Sequence, residues 1–414
     1  MRVLFTVSNW PGHWYAMVPL GWALQAAGHQ VRVACTPCQA GPVTHAGLMP
    51  VPLLEAMDMT VRGRLHNYRK ATVGTWPFAA PPPHPLTGEP LASLDDFDME
   101  AWSAQNRDWA LGVVERSADA AVDFARQWRP DLVVHDLMSL EGPLVGGALK
   151  IPALLHLWGP CGPQDPVPGA PPGSSFVPMD PAGVFERHGA GPMDADVYTH
   201  VVDPSPASVR PPLTAERIPV RHVPYNGPGA IPPRQPPRED GRPRVCVVWG
   251  TSVSGVHGPA SFAVPRIVEA LGDIDAEVLL TLTGDDRARV ESGPPLPPHV
   301  RLMERTPLGL LLPECDLVIH HGGAGCTMTG LAAGIPQLAI HAGSDQEVIA
   351  DRVATAHAAR SLVNADTDAA AVHEAVTRLL GDPAHRAAAR RLRQEMESLP
   401  TPADLVPLLS ALPR

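Results

Sequence analysis

No stretch of the 414-residue chain approaches the roughly 18 consecutive apolar residues of a membrane-spanning helix. The opening MRVLFTVSNWPGHW has one arginine and then a short β-like run, without the basic, apolar and cleavage segments of a secretory signal. It reads as the first core strand of a cytoplasmic protein. Positive charge is scarce too: a net charge of −11 leaves no Lys/Arg cluster for a phosphate backbone and argues against nucleic acid. The six cysteines are scattered and form no disulfide framework. Cys35-Thr-Pro-Cys38 has redox spacing, but it ends a strand with nothing else of a thioredoxin around it. The 18 histidines are not grouped with Cys or Asp at ligand spacing, so no metal is expected.

Two nucleotide signatures are missing as well. The first turn, SNWPGHW, lacks G-x-G-x-x-G, and the second strand ends in Cys35-Thr36 where an acidic residue would hold ribose hydroxyls, which counts against NAD. No glycine-rich turn ends in G-K-[ST], which counts against a P-loop. What remains, 44% apolar and 18% charged, suits a soluble globular chain long enough for two domains.

Strand and helix alternate along it. RVLFTVS (Arg2 to Ser8) and QVRVAC (Gln30 to Cys35) flank an amphipathic helix from Tyr15 to Ala27, closed by Gly28. That spacing implies a parallel sheet with right-handed crossovers. Residues Met57 to Asp108 show no period and read as long loops with short helices; a helix near Trp109 to Trp128 leads into DLVVHD (Asp131 to Asp136). Proline is dense from about Pro204 to Pro243, as in a stiff linker, placed at 211–243. Further strands are expected at Arg244–Ser252, Ala276–Leu282, Asp316–His321 and Pro336–His341, with helices near Glu347 to Ala358 and His373 to Leu380. The expected architecture is α/β: two Rossmann-like domains, residues 1–210 and 244–395, facing each other across a ligand cleft.

CDLVIHHGGAGCTMTG (Cys315 to Gly330) is the most informative stretch. Gly322, Gly323 and Gly325 let the backbone come close to a ligand, and the helix from about Cys326 to Gly334 directs its unpaired N–H groups at the same spot. That describes an anion site; the plain alternative is a tight strand-to-helix turn.

GHWYAMVPLGWALQAAGHQVRVA, VVHDLMSLEGPL, WGTS and HHGGAGCTMTGLAAGIPQLAIHAGSDQ, in this order and at these distances, resemble the two-domain GT-B fold of inverting glycosyltransferases that decorate actinobacterial natural products. FERHGAGPMDADVYTHVVDPSPASVR and VPYNGPGAIP resemble its macrolide and enediyne branch, close to the aromatic polyketide enzymes. The resemblance implies that residues 1–210 bind the acceptor, that 244–395 bind a nucleotide sugar and that 396–414 cross back to brace the N-terminal domain. It makes His13 the catalytic base and Asp136 the acid that holds its second nitrogen. His is the natural choice for deprotonating an alcohol near neutral pH. His135, next to Asp136, points to the other side of the strand and reads as structural.

For the departing diphosphate the resemblance implies Thr251, Ser252, His321, Gly322, Gly323, Ala324, Gly325 and Cys326, where relatives often carry Thr or Ser at the last position. Their preorganised donors face growing charge and take the place of a metal. His320 reads as packed behind the turn. Thr329 stands where UDP-sugar enzymes carry a ribose-binding Glu, which favours a TDP-deoxysugar as co-substrate. Arg305, before Thr306, is placed to lie on the base or to face solvent, and Asp345 and Gln346 match a sugar-reading pair. Gly12, Trp76, Phe78, Trp102, Trp109 and Trp158 are expected around an apolar aglycone. A homodimer and a P450-like activator protein are further partners that the resemblance allows. The rival readings are a nucleotide-sugar epimerase of the same fold, a C- or N-glycosyltransferase and a non-catalytic helper.

Overall fold

The computed structural model describes residues 1–230, 241–282, 284–303 and 306–412, with residues 251 and 252 described in their backbone alone. The N-terminal sheet consists of β1 (Arg2–Thr6), β2 (Gln30–Cys35), β3 (Pro50–Pro52), β4 (Leu132–His135), β5 (Ala153–His156), β6 (His200–Asp203) and β7 (Glu216–Pro219). Their order is β3-β2-β1-β4-β5-β6-β7, and every pair is parallel. The C-terminal sheet repeats the plan with β8 (Arg244–Val248), β9 (Glu277–Thr281), β10 (Val300–Met303), β11 (Leu317–His320), β12 (Gln337–His341) and β13 (Ala359–Val363), in the parallel order β10-β9-β8-β11-β12-β13.

Sequence dictates this burial. Val3, Leu4 and Phe5 of β1 and Leu317, Val318 and Ile319 of β11 are essentially inaccessible. Strands with no polar face must be covered on both sides, which parallel sheets achieve with crossover helices. The strand order reverses between β1 and β4 in one domain and between β8 and β11 in the other. Loops leaving the carboxyl ends of those four strands therefore frame a crevice in each domain.

Several boundaries differ from the expectation. Glu216–Pro219, inside the expected linker, is the edge strand β7. The stretch expected to be loops contains a 14-residue helix, Met59–Thr72, capped by Asp58, and the start of a 30-residue helix, Met99–Trp128. Strand β8 stops at Val248, and Thr251 already begins the helix Thr251–His257. Among the described residues no helix is long and apolar enough to cross a membrane.

The domains meet along a seam of specific contacts. Helix Met59–Thr72 lies on helix Thr251–His257: Arg64 Nε donates to the Gly255 carbonyl (2.7 Å) and Asn67 Nδ2 to that of Val256 (3.0 Å). These satisfy carbonyls that a helix end leaves unpaired. Farther along, Arg352 on helix Ser344–Thr355 reaches the buried Asp165 (2.6 Å) and the Pro160 carbonyl (2.5 Å). The helix Pro402–Ser410 returns to the N-terminal domain, where Leu405, Val406 and Leu409 share a core with Leu20 and Leu24.

Candidate active site

His13 sits on the one-turn helix Pro11–Trp14 that follows β1. Its Nδ1 lies 2.9 Å from Ser8 Oγ. Ser8 in turn donates its backbone N–H to Asp136 (2.7 Å), and the other carboxylate oxygen accepts from the Met138 N–H (2.8 Å). The expectation that Asp136 bonds His13 directly is therefore corrected: Ser8 stands between them. A hydroxyl accepting from Nδ1–H fixes the tautomer and leaves Nε2 with its lone pair.

The loop carrying these groups is tied down from behind. Asn9 Oδ1 accepts from Thr36 Oγ1 (3.0 Å), Cys38 Sγ (2.8 Å) and Gln39 Nε2 (3.2 Å). Cys38 thus serves a positioning network. On the other side Trp158, from the loop after β5, stacks on the imidazole with ring centroids 4.5 Å apart and planes at 22°. Loss of water around the ring and the Arg62 guanidinium push the His13 pKa down to about 3, so the unliganded protein holds it neutral. Asp136 is fully buried, and burial pushes its carboxyl up to about 6 against the pull of its N–H donors.

The opposite wall is built around His321. A Cβ at Gly250 would lie 2.8 Å from its Cε1, and one at Gly323 would lie 2.6 Å from its Nε2. Both positions must be glycine for the ring to fit between the two turns. His321 Nδ1 has no hydrogen-bond partner among the described residues, although the residue is buried. An orphaned buried nitrogen beside the N-terminus of helix Ala324–Ala333 fits an anion that would use both. His320 faces away and is structural, bonded to Gln337 (2.9 Å) and to the Gly322 N–H (3.0 Å).

A cavity of about 800 Å³ between the domains is lined by Gly12, Tyr15 and Trp158 on one side and Thr306, Gly325 and Cys326 on the other. Burial pushes the Cys326 thiol up to about 12, so it offers only a weak S–H donor. Ala324 packs with Trp158 in one cluster, at the point where the two walls touch. Asp345 lies in the first turn of helix Ser344–Thr355, its carboxyl raised by burial. Gln346 Oε1 closes the same turn on the Ala342 and Gly343 N–H groups (3.3 and 3.2 Å).

Other expected residues lie elsewhere. Trp76 and Phe78 pack against each other and against His257 of the opposite domain, so they belong to the seam. Trp102 and Trp109 line a separate open groove with Met57, Val61 and Leu86. Thr329 is closed off, 1% exposed, its hydroxyl donating to the Gly325 carbonyl (2.6 Å) and accepting from Asn226 (2.9 Å). Arg305 and the side chains of Thr251 and Ser252 lie outside the described residues. Ser8 and Asn226 went unnoticed in the sequence; the one local signal for Ser8 is a hydroxyl ending a strand five residues before a histidine.

Residues 104–250 match the family described as Erythromycin biosynthesis protein CIII-like, N-terminal domain, and residues 265–412 its C-terminal domain. The chain belongs to this family. It is 33% identical over 446 residues to 10-deoxymethynolide desosaminyltransferase of Streptomyces venezuelae, covering all of this chain and 97% of the relative. It is equally close to aklavinone 7-beta-L-rhodosaminyltransferase of Streptomyces galilaeus, 33% over 442 residues, covering 100% and 96%. Among solved structures it resembles spinosyn rhamnosyltransferase complexed with thymidine diphosphate (29% identity, TM-score 0.73) and with spinosyn aglycone (30%, TM-score 0.75). Both cover 99% of this chain and 100% of that one. The protein is thus a glycosyltransferase with the GT-B fold, as the sequence motifs imply, and the two crevices of this glycosyltransferase are the halves of one site.

Proposed function

We propose that the enzyme transfers a deoxysugar from a TDP-sugar to a hydroxyl of an apolar aglycone, with inversion and without a metal. The observation that carries this reading is the meeting of His13 and Trp158 with the His321 turn across one cavity. The acceptor oxygen attacks the sugar C1 from the His13 side while its proton passes to Nε2. The bond from C1 to the diphosphate breaks, and that electron pair leaves with the phosphate oxygen. His321, the backbone N–H groups from Gly323 onward and the helix dipole would receive the charge.

A neutral imidazole with a pKa near 3 is a poor base, and the reading supplies the remedy. A bound diphosphate brings negative charge beside Arg62 and the desolvated ring, which favours the imidazolium. The Trp158 face and the Asp136 carboxylate, acting through Ser8, add to that.

Incubation with a panel of TDP-deoxysugars and macrolide or polyketide aglycones, followed by mass spectrometry and NMR of the new glycoside, tests the reading. An O-glycoside with inverted C1 is expected. Conversion of the sugar nucleotide with no acceptor present would point to the epimerase instead.

Two further results follow. Asp136→Asn should turn over more slowly than wild type, by about tenfold, because orientation through Ser8 survives and charge stabilisation does not. In wild type, kcat/KM should fall as pH drops through about 6, where the Asp136 carboxyl takes up a proton and loses its negative charge. The Asn variant should lack that limb. An Asn variant faster than wild type would remove Asp136 from the mechanism. As for the donor, TDP should bind about tenfold tighter than UDP, since no carboxylate stands at position 329 for two ribose hydroxyls and the thymine methyl gains roughly 0.8 kcal/mol on burial. Equal affinities by calorimetry would sink the TDP assignment.

A further inference from the structure

Asn226 lies on the interdomain linker, in the segment His222–Ala230 that forms one edge of the cavity. Its neighbour Tyr225 is held by the N-terminal domain, edge-on to Tyr15 (4.9 Å) and Trp22 (5.6 Å). Asn226 itself reaches the C-terminal domain. Its Oδ1 accepts from the Gly309 N–H (2.8 Å), at the start of helix Leu308–Leu311, and its Nδ2 donates to Thr329 Oγ1 (2.9 Å). Pro224 packs over the same place, where a Cβ at Gly309 would lie 3.1 Å from the proline ring. The carboxamide is therefore seated rigidly and covers Thr329.

It also faces the space a nucleoside would occupy, beside Thr306, Gly325 and Cys326. Two bonds leave one Nδ2 hydrogen and one Oδ1 lone pair unspent among the described residues. One donor and one acceptor suit a single hydroxyl. A vicinal diol is better met by a carboxylate, which accepts twice.

We propose that Asn226 is a specificity-determining residue for the donor: its carboxamide reads the lone sugar hydroxyl of a 2′-deoxynucleoside diphosphate and fills the room that a 2′-hydroxyl would need. This rests on the nucleotide-sugar reading above. A ribonucleotide has either to push the carboxamide off Gly309 and Thr329 or to bury its extra hydroxyl without a partner. The linker, rather than either sheet, then carries the discrimination.

Calorimetric titration of UDP, 2′-deoxy-UDP and TDP into wild type, Asn226→Ala and Asn226→Ser separates the causes. UDP against 2′-deoxy-UDP isolates the 2′-hydroxyl, and 2′-deoxy-UDP against TDP isolates the methyl. Wild type should prefer 2′-deoxy-UDP to UDP by about tenfold. In Asn226→Ala that ratio should fall to within about twofold while the methyl preference stays, and Asn226→Ser, which keeps a hydroxyl near Gly309, should fall between. If both variants keep the wild-type ratio, or lose all three nucleotides equally, Asn226 is not the selector. If wild type itself shows no preference for the deoxynucleotide, the donor reading fails, and this assignment with it.

Discussion

Replacing His13 with alanine should lower kcat by about a hundredfold or more and leave the affinity for nucleoside diphosphate within about twofold. Positioned general bases contribute on the order of 10²–10⁴ to such reactions. The two halves of the expectation have separate structural grounds. The imidazole is held on the N-terminal wall by Ser8 and Trp158, whereas the anion site is built from Gly250, His321 and the helix Ala324–Ala333 on the other. Alanine leaves a gap under Trp158, so His13→Gln, which preserves much of the volume without a basic nitrogen, should match it in rate. Near-normal turnover in either variant would take His13 out of the chemistry. A parallel loss of nucleotide binding would instead mean that the walls are coupled more tightly than their contacts imply.

The second large effect concerns the seam. Arg352→Leu leaves the Asp165 carboxylate buried with only the Gly162 N–H (2.8 Å) as a donor. Breaking a buried pair on one side costs about 3–5 kcal/mol, and the low end applies because the Arg352 side chain is 20% exposed. If catalysis needs the walls apposed as they are here, that cost appears as a fall in kcat/KM on the order of a hundredfold. The double variant Arg352→Leu/Asp165→Asn removes the stranded charge and should recover part of the loss. A single variant within twofold of wild type would show that the pair is not needed for closure.

What could be read in the sequence was local. The apolar runs of β1, β8, β11 and β12 announce buried parallel strands, and the glycine-rich turn after His321 carries its own meaning. Strands β3 and β7 carry prolines that count against a strand, and only the structure shows that both lie at sheet edges, where an N–H is dispensable. Helix Met59–Thr72 hid because it packs against another helix across the seam through Gly63, Arg64 and Asn67, not through an apolar stripe. At the site, His13 was legible from the turn around it. Ser8 and Asn226 were not, for they act on partners 128 and 103 residues away. The aromatic residues Trp76, Phe78, Trp102 and Trp109 misled because composition says nothing about which wall a ring faces.

The returning helix Pro402–Ser410 bears on how the chain matures. Leu405, Val406 and Leu409 complete the apolar layer over Leu20 and Leu24, nearly four hundred residues upstream. Until the ribosome has released that segment, the first domain to be synthesised carries an uncovered apolar face through the whole synthesis of the second. Docking the helix closes a loop that spans nearly the entire polypeptide, a contact of the slow, long-range kind. The domain that emerges first is finished last.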